Sequence, residues 1–148
     1  MATTFKAVYP ANNQALTFSG LNSLANGSTV WSSAIDNTSN LDLDALVCVS
    51  LTTAAASVSS TGTYSVLIAA SSDGGTTYNT NTSNAKLLGV VTANANSTVY
   101  ILDPSSIAAM YGGQLPPFFK IGITNNTGQA LASSGNSGFY VRIQTQGV

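Results

Sequence analysis

Leu43-Asp44-Ala45-Leu46-Val47-Cys48-Val49-Ser50-Leu51-Thr52 is the stretch on which the fold turns. Its middle, Ala45 to Val49, is continuously apolar, and Asp36-Asn37-Thr38-Ser39-Asn40 before it has the composition of a turn. A short apolar run rich in β-branched residues and bounded by a turn reads as a strand, here a central one. The same signal recurs on both sides. Downstream, Thr63 to Ala70 carries Tyr64, Val66 and Ile68 at a period of two. Ser72-Asp73-Gly74-Gly75 then signals a tight turn, and Thr76 to Ala85 reads as a long exposed loop. Strands follow at Lys86 to Thr92 and at Thr98 to Leu102, the latter stopped by Asp103-Pro104. Ser105 to Tyr111 reads as one helical turn capped by Ser105 or Asp103. After the Gly112 to Pro117 connection come strands at Phe118 to Thr124 and Phe139 to Gln146, separated by Asn125-Asn126-Thr127-Gly128 and the small-residue loop Ala130 to Gly138. Upstream, Gln14 to Leu21 alternates Leu16 and Phe18 with Thr17 and Ser19. Ser28 to Asp36 places Trp31 and Ile35 on one face.

About eight short strands, with no amphipathic helix of useful length, imply an all-β two-sheet sandwich of jelly-roll-like form; a closed barrel is the alternative. Tyr9-Pro10-Ala11-Asn12-Asn13 interrupts any strand, so residues 1–13 read as an N-terminal arm and 14–148 as the sandwich domain. No repeat of fixed period divides the chain.

Composition narrows function. Charged residues make up 6% of the 148, against about 25% in a typical soluble domain. Glu and His are absent, so the polar surface is built from Ser, Thr, Asn and Gln. A formal charge of −1 gives no electrostatic drive toward nucleic acid or an anionic membrane. Low net charge favours association, which suits a part of an assembly; a secreted or extreme-environment protein with a Thr/Asn-rich coat is the equal alternative. Cys48 is the only cysteine, so an intrachain disulfide is excluded, and its apolar setting reads as a small buried hydrophobe. The first residues show no basic-then-apolar leader and no run reaches 18 apolar residues, so the expectation is synthesis in a cytoplasm and no membrane partner.

Without His there is no Ser-His-Asp or Cys-His machinery, and the common zinc sets are missing. A carboxylate pair for glycoside hydrolysis would have to come from Asp36, Asp42, Asp44, Asp73 and Asp103, most of which sit beside turn residues. Asp42 and Asp44 share a strand face and, with Asp36, could offer oxygen ligands to calcium; the plainer reading is two solvent-facing residues at a strand start. The expectation is no enzyme, no cofactor and no metal. Lys120 and Arg142 interrupt apolar strands and are read as facing solvent or a partner. Trp31 reads as a core residue, with an interface anchor or a sugar platform as alternatives. The triplets at Asn26, Asn37 and Asn96 match the glycosylation pattern by chance in so Asn- and Ser-rich a chain.

Several phrases are nevertheless distinctive. Asp36-Asn37-Thr38-Ser39-Asn40-Leu41-Asp42-Leu43-Asp44-Ala45-Leu46-Val47 resembles a phrase of small virion proteins of tailed bacteriophages. So does Tyr100-Ile101-Leu102-Asp103-Pro104-Ser105-Ser106-Ile107-Ala108-Ala109-Met110-Tyr111-Gly112-Gly113 with Leu115-Pro116-Pro117-Phe118-Phe119-Lys120, and Asn125 to Gly128 through Ser134-Gly135-Asn136 into Phe139-Tyr140. The resemblance spans about residues 14 to 146 and touches no catalytic motif. It implies a capsid decoration, or cement, protein: a jelly-roll-like homo-oligomer, dimer or trimer, on the outer surface of an icosahedral virion, bridging capsomers of the major capsid protein. By position, the arm and the loops Thr76 to Ala85 and Ala130 to Gly138 are the expected contacts, with Phe5, Lys6, Tyr9, Tyr78, Lys120 and Arg142 as interface residues. A tail-fibre or baseplate module binding host carbohydrate through Trp31, Tyr78 or Tyr111 is the competing reading. A cellular carbohydrate-binding sandwich and an Asp-based hydrolase complete the set.

Overall fold

The computed structural model describes residues 5–10 and 13–147, with the side chain of Phe5 outside the described set. Ten strands run in chain order: β1 (Phe5–Val8), β2 (Gln14–Ala15), β3 (Thr29–Trp31), β4 (Ile35–Asp36), β5 (Asp44–Thr52), β6 (Thr63–Ser71), β7 (Lys86–Thr92), β8 (Val99–Ser106), β9 (Phe118–Asn126) and β10 (Ser137–Gly147). They form two antiparallel five-stranded sheets. Sheet 1 has the order β1-β10-β5-β8, with β2 also on β10; sheet 2 has the order β3-β9-β6-β7, with β4 also on β9.

The short strands are halves of longer ones. β1 and β2 pair with successive parts of β10, at Gln144 to Gly147 and at Phe139 to Tyr140. β3 and β4 likewise divide one edge of β9, at Gly122 to Thr124 and at Phe118 to Phe119. Counting each pair as one position leaves eight, ordered 1-8-3-6 and 2-7-4-5, which is the jelly-roll winding. Residues 5–8, within the segment expected to be an arm, thus form the first half of an edge strand. Ser32 to Ala34 interrupts the second expected strand because Ser32 Oγ takes over part of the ladder, accepting the Ile121 N–H at 3.0 Å.

Alternation along the strands fills the space between the sheets. Val47, Val49 and Leu51 of β5 face Tyr64, Val66 and Ile68 of β6 and Phe119, Ile121 and Ile123 of β9 in one buried cluster. Each such side chain contributes about 1.5–3 kcal/mol on burial. Phe119 and Tyr140 meet edge to face, centroids 6.3 Å apart, joining the two sheets.

Two expectations are corrected. β8 does not stop at Asp103-Pro104 but runs through to Ser106. It does so because β8 is an edge strand with a bulge there: Val47 and Val49 of β5 face Ser105 and Leu102, so Asp103 and Pro104 together oppose the single Cys48. An edge bulge is where a residue lacking an N–H fits. The helical turn is a 3-10 turn over Ala108–Tyr111 with neither Ser105 nor Asp103 as its cap. Its N–H groups are met by Asp44 Oδ1, which accepts from Ala108 at 2.8 Å, and by Ser106 Oγ, which accepts from Ala109 at 3.1 Å. No helix among the described residues is long and apolar enough to cross a membrane.

Candidate functional site

One end of the sandwich carries a loop built with unusual care for a segment that buries no apolar side chain. Asn37 is buried, and its amide closes the loop on itself. Its Oδ1 accepts the Asp42 N–H at 2.8 Å and its Nδ2 donates to the Asp42 carbonyl at 3.0 Å. Its backbone N–H donates to the Pro117 carbonyl and its carbonyl accepts from the Leu41 N–H. Asp36 Oδ1 accepts from both the N–H and the hydroxyl of Thr38, which holds its carboxyl below the usual range.

Asp42 ties this loop to β10. Its side chain is only 4% exposed; Oδ2 receives Arg142 Nε at 2.7 Å and Oδ1 receives Gln144 Nε2 at 2.7 Å. Hydrogen bonding to the ionised carboxylate pushes the Arg142 guanidinium up from its ordinary value. A charge-assisted pair of this geometry is among the stronger polar contacts a protein makes.

What this framework presents is Leu41. Its φ is +50°, in the left-handed region that branched side chains avoid, and it is 75% exposed. The backbone conformation costs about 1–3 kcal/mol, and the large apolar side chain that it carries lies in solvent. Beside it lies an open groove of about 480 Å³ lined by Leu41, Leu43, Leu115, Pro117, Thr38 and Gln114. Its apolar walls and few polar groups suit an apolar side chain or turn of a partner. The groove joins two of the phrases quoted above: Asn37 to Leu43 forms one wall, and Gly113 to Pro117 the other.

The acidic trio is not brought together. Asp42 turns to Arg142 and Gln144, Asp36 to Thr38, and Asp44 to Ser106 Oγ at 2.6 Å and to two backbone N–H groups. Among the described residues no three His, Cys, Asp or Glu side chains are gathered as a metal site. Both sequence readings of Asp42 and Asp44 are therefore corrected: neither is an open ligand, and neither is simply solvent-facing. They are fasteners, because each is adjacent to backbone or cationic donors across the end of the sandwich. Arg142 likewise points inward to Asp42 rather than to solvent.

The other expected interface residues are dispersed. Lys6 and Tyr9 lie exposed on the β1 edge of sheet 1. Lys120 and Tyr78 pair on the outer face of sheet 2, with Lys120 Nζ 4.5 Å from the ring centroid. Phe5 belongs to β1, with its side chain outside the described residues. The three aromatics proposed for sugar stacking occupy separate contacts. Trp31 is half-buried over Gly122, Tyr78 lies beneath Lys120, and Tyr111 lies beneath Lys86 at 4.5 Å.

No protein-family model matches the chain, and no curated protein sequence matches it. Sequence reading missed Leu41 and Asn37 as site residues. The available signal was Asn37 and Asp42 flanking a turn, an Asx pairing that a leucine at its tip made easy to pass over.

Proposed function

We propose that this chain is a virion structural protein that decorates and stabilises the outer surface of a tailed-phage icosahedral capsid by bridging capsomers. The observation that carries the reading is Leu41, held at φ +50° and 75% exposed beside an apolar groove. An exposed leucine fixed by buried hydrogen bonds is a preorganised contact; its ordering cost is met in the fold rather than on binding. The charge-poor surface and the resemblance of residues 14 to 146 to small virion proteins supply the partner, the major capsid protein. A protein that binds only the assembled lattice stabilises it by RT ln(1 + [L]/Kd), repeated at every symmetric site.

Cryo-electron microscopy of purified particles tests this. Hundreds of copies on the outer shell, with Leu41 at the capsid contact, are expected. Density confined to the tail would make the chain a host-binding module instead, and absence from particles would end the virion reading. In a binding assay on assembled shells, Leu41→Asn is expected to weaken capture at least tenfold while the fold is kept.

A further inference from the structure

Asn26-Gly27 is the one place in the chain where a glycine follows an asparagine. A glycine has no Cβ to shield its own nitrogen, so that nitrogen can close on the preceding carboxamide more readily than one flanked by a side chain. The pair lies at the far end of β9 from the Leu41 groove, exposed on a turn that the Ser28 N–H closes by donating to the Ala25 carbonyl at 3.1 Å. Two contacts fix the reacting groups against the turn that follows β9. The Gly27 N–H donates to the Asn125 carbonyl at 2.6 Å, and Asn26 Oδ1 accepts the Gly128 N–H at 2.8 Å. They act in opposite directions. A donor on Oδ1 draws electrons from Cγ and makes it a better electrophile. The nitrogen, however, reacts only after losing its proton, and the Asn125 carbonyl holds that proton without being a base able to remove it. The second effect wins, because Cγ has no attacker until the nitrogen is released. The corner around the pair is tightly made. Asn125 is fully buried, its Nδ2 donates to the Leu24 and Gln129 carbonyls, and its Oδ1 accepts from the N–H and the hydroxyl of Thr127. Asp73-Gly74, the one acidic residue before a glycine, is protected differently: hydrogen bonds from Ser71 and Thr77 keep its carboxyl ionised, and a carboxylate is a poor electrophile.

We propose that Asn26 is a self-modification site, held closed by the fold and converted to aspartate or isoaspartate when the corner between residues 24–28 and 125–129 opens. On opening, the Gly27 nitrogen gives its proton to water or hydroxide and bonds to Asn26 Cγ. The Cγ–Nδ2 bond breaks, and Nδ2 leaves as ammonia after taking a proton from solvent. Water then opens the resulting succinimide ring at either carbonyl. The two products differ in what they do to the fold. Aspartate keeps a side-chain oxygen able to accept the Gly128 N–H. Isoaspartate routes the main chain through the former side-chain carbon and lengthens it by a methylene, so the turn no longer leads Thr29 to Trp31 into register on β9. Either product adds a negative charge to a chain whose formal charge is −1. Position 26 thus keeps a permanent record of how often this end of the sandwich has opened. Nothing in this chemistry depends on what the Leu41 groove binds.

Peptide mapping by mass spectrometry tests it, on the full chain kept in mildly alkaline buffer with and without unfolding concentrations of urea. In urea, position 26 is expected to convert before every other asparagine. In native buffer its conversion is expected to be at least tenfold slower, because only the locally opened fraction reacts. Hydrogen exchange of the Gly27 N–H needs the same release, so it is expected to be protected at least tenfold in the native chain. Thr127→Val removes the hydroxyl that braces Asn125 and is expected to speed native conversion and Gly27 exchange together, severalfold. Native conversion as fast as in urea overturns the proposal, and so does an unprotected Gly27 N–H or an unreactive position 26 in urea. A folded Thr127→Val variant that speeds one process and not the other overturns it as well. If circular dichroism shows that variant unfolded, the two wild-type measurements decide by themselves.

Discussion

Leu41 and Tyr78 each hold a local cost that substitution can expose. Asn tolerates the left-handed region that Leu41 occupies, so Leu41→Asn should leave stability unchanged or raise it by about 0.5–1 kcal/mol in urea unfolding, even as capture on assembled shells is expected to weaken at least tenfold. Tyr78 Oη is buried with no hydrogen-bond partner among the described residues. Burial, with Asp73 and Asp36 nearby, pushes that phenol up. Tyr78→Phe removes the unsatisfied group and keeps the ring under Lys120, so stability should rise by about 1 kcal/mol. The Asp42 carboxylate behaves oppositely. Arg142→Ala strands a buried carboxylate and should cost about 3 kcal/mol, loosening the loop that presents Leu41. Tyr64 is fully buried and donates to the Tyr100 carbonyl at 3.0 Å; burial raises its pKa well above the ordinary value near 10. The fold therefore favours the protonated phenol. Its contribution is complete below about pH 10 and is lost as pH rises beyond that, because the unfolded chain ionises first. Tyr64→Phe should cost about 1 kcal/mol at neutral pH and flatten the alkaline fall measured by unfolding at stepped pH.

Strands are where sequence and structure agree most, and the exceptions have physical causes. Runs such as Thr63 to Ala70 and Lys86 to Thr92 declared themselves through alternation and flanking turns, and the structure keeps them nearly unchanged. Asp103-Pro104 reads as a stop because proline ends a central strand, whereas only strand order shows that β8 lies at an edge. Phe5–Val8 was hidden because a four-residue strand has no period to read, and its partner lies at the far end of the chain. The site was legible only in part. The phrases lining the groove stood out, and Asn37 and Asp42 are only five residues apart, but Asp42 meets Arg142 across a hundred residues. Gly122 gives the element-scale test. A Cβ there would sit 2.8 Å from the Trp31 ring, so Gly122→Ala must displace the indole from sheet 2. A cost of about 1–3 kcal/mol and a red shift in the emission of the single tryptophan are expected.

At the scale of the molecule, jelly-roll winding makes nearly every neighbour distant in sequence, and such topologies fold slowly, on a millisecond-to-second scale. The two sheets are not equal in this respect. All five strands of sheet 2 lie between Thr29 and Asn126, so it can be complete once β9 has been made. In sheet 1, β1, β2 and β5 all take β10 as their partner. During synthesis those three strands wait, edges open, until residues 137–147 emerge from the ribosome. The outer face of sheet 1 is assembled around β10 itself, through Phe139, Val141 and Ile143. A chain halted before residue 137 therefore leaves β5 paired on the β8 side alone, and the last segment to be made is the one that closes the sandwich.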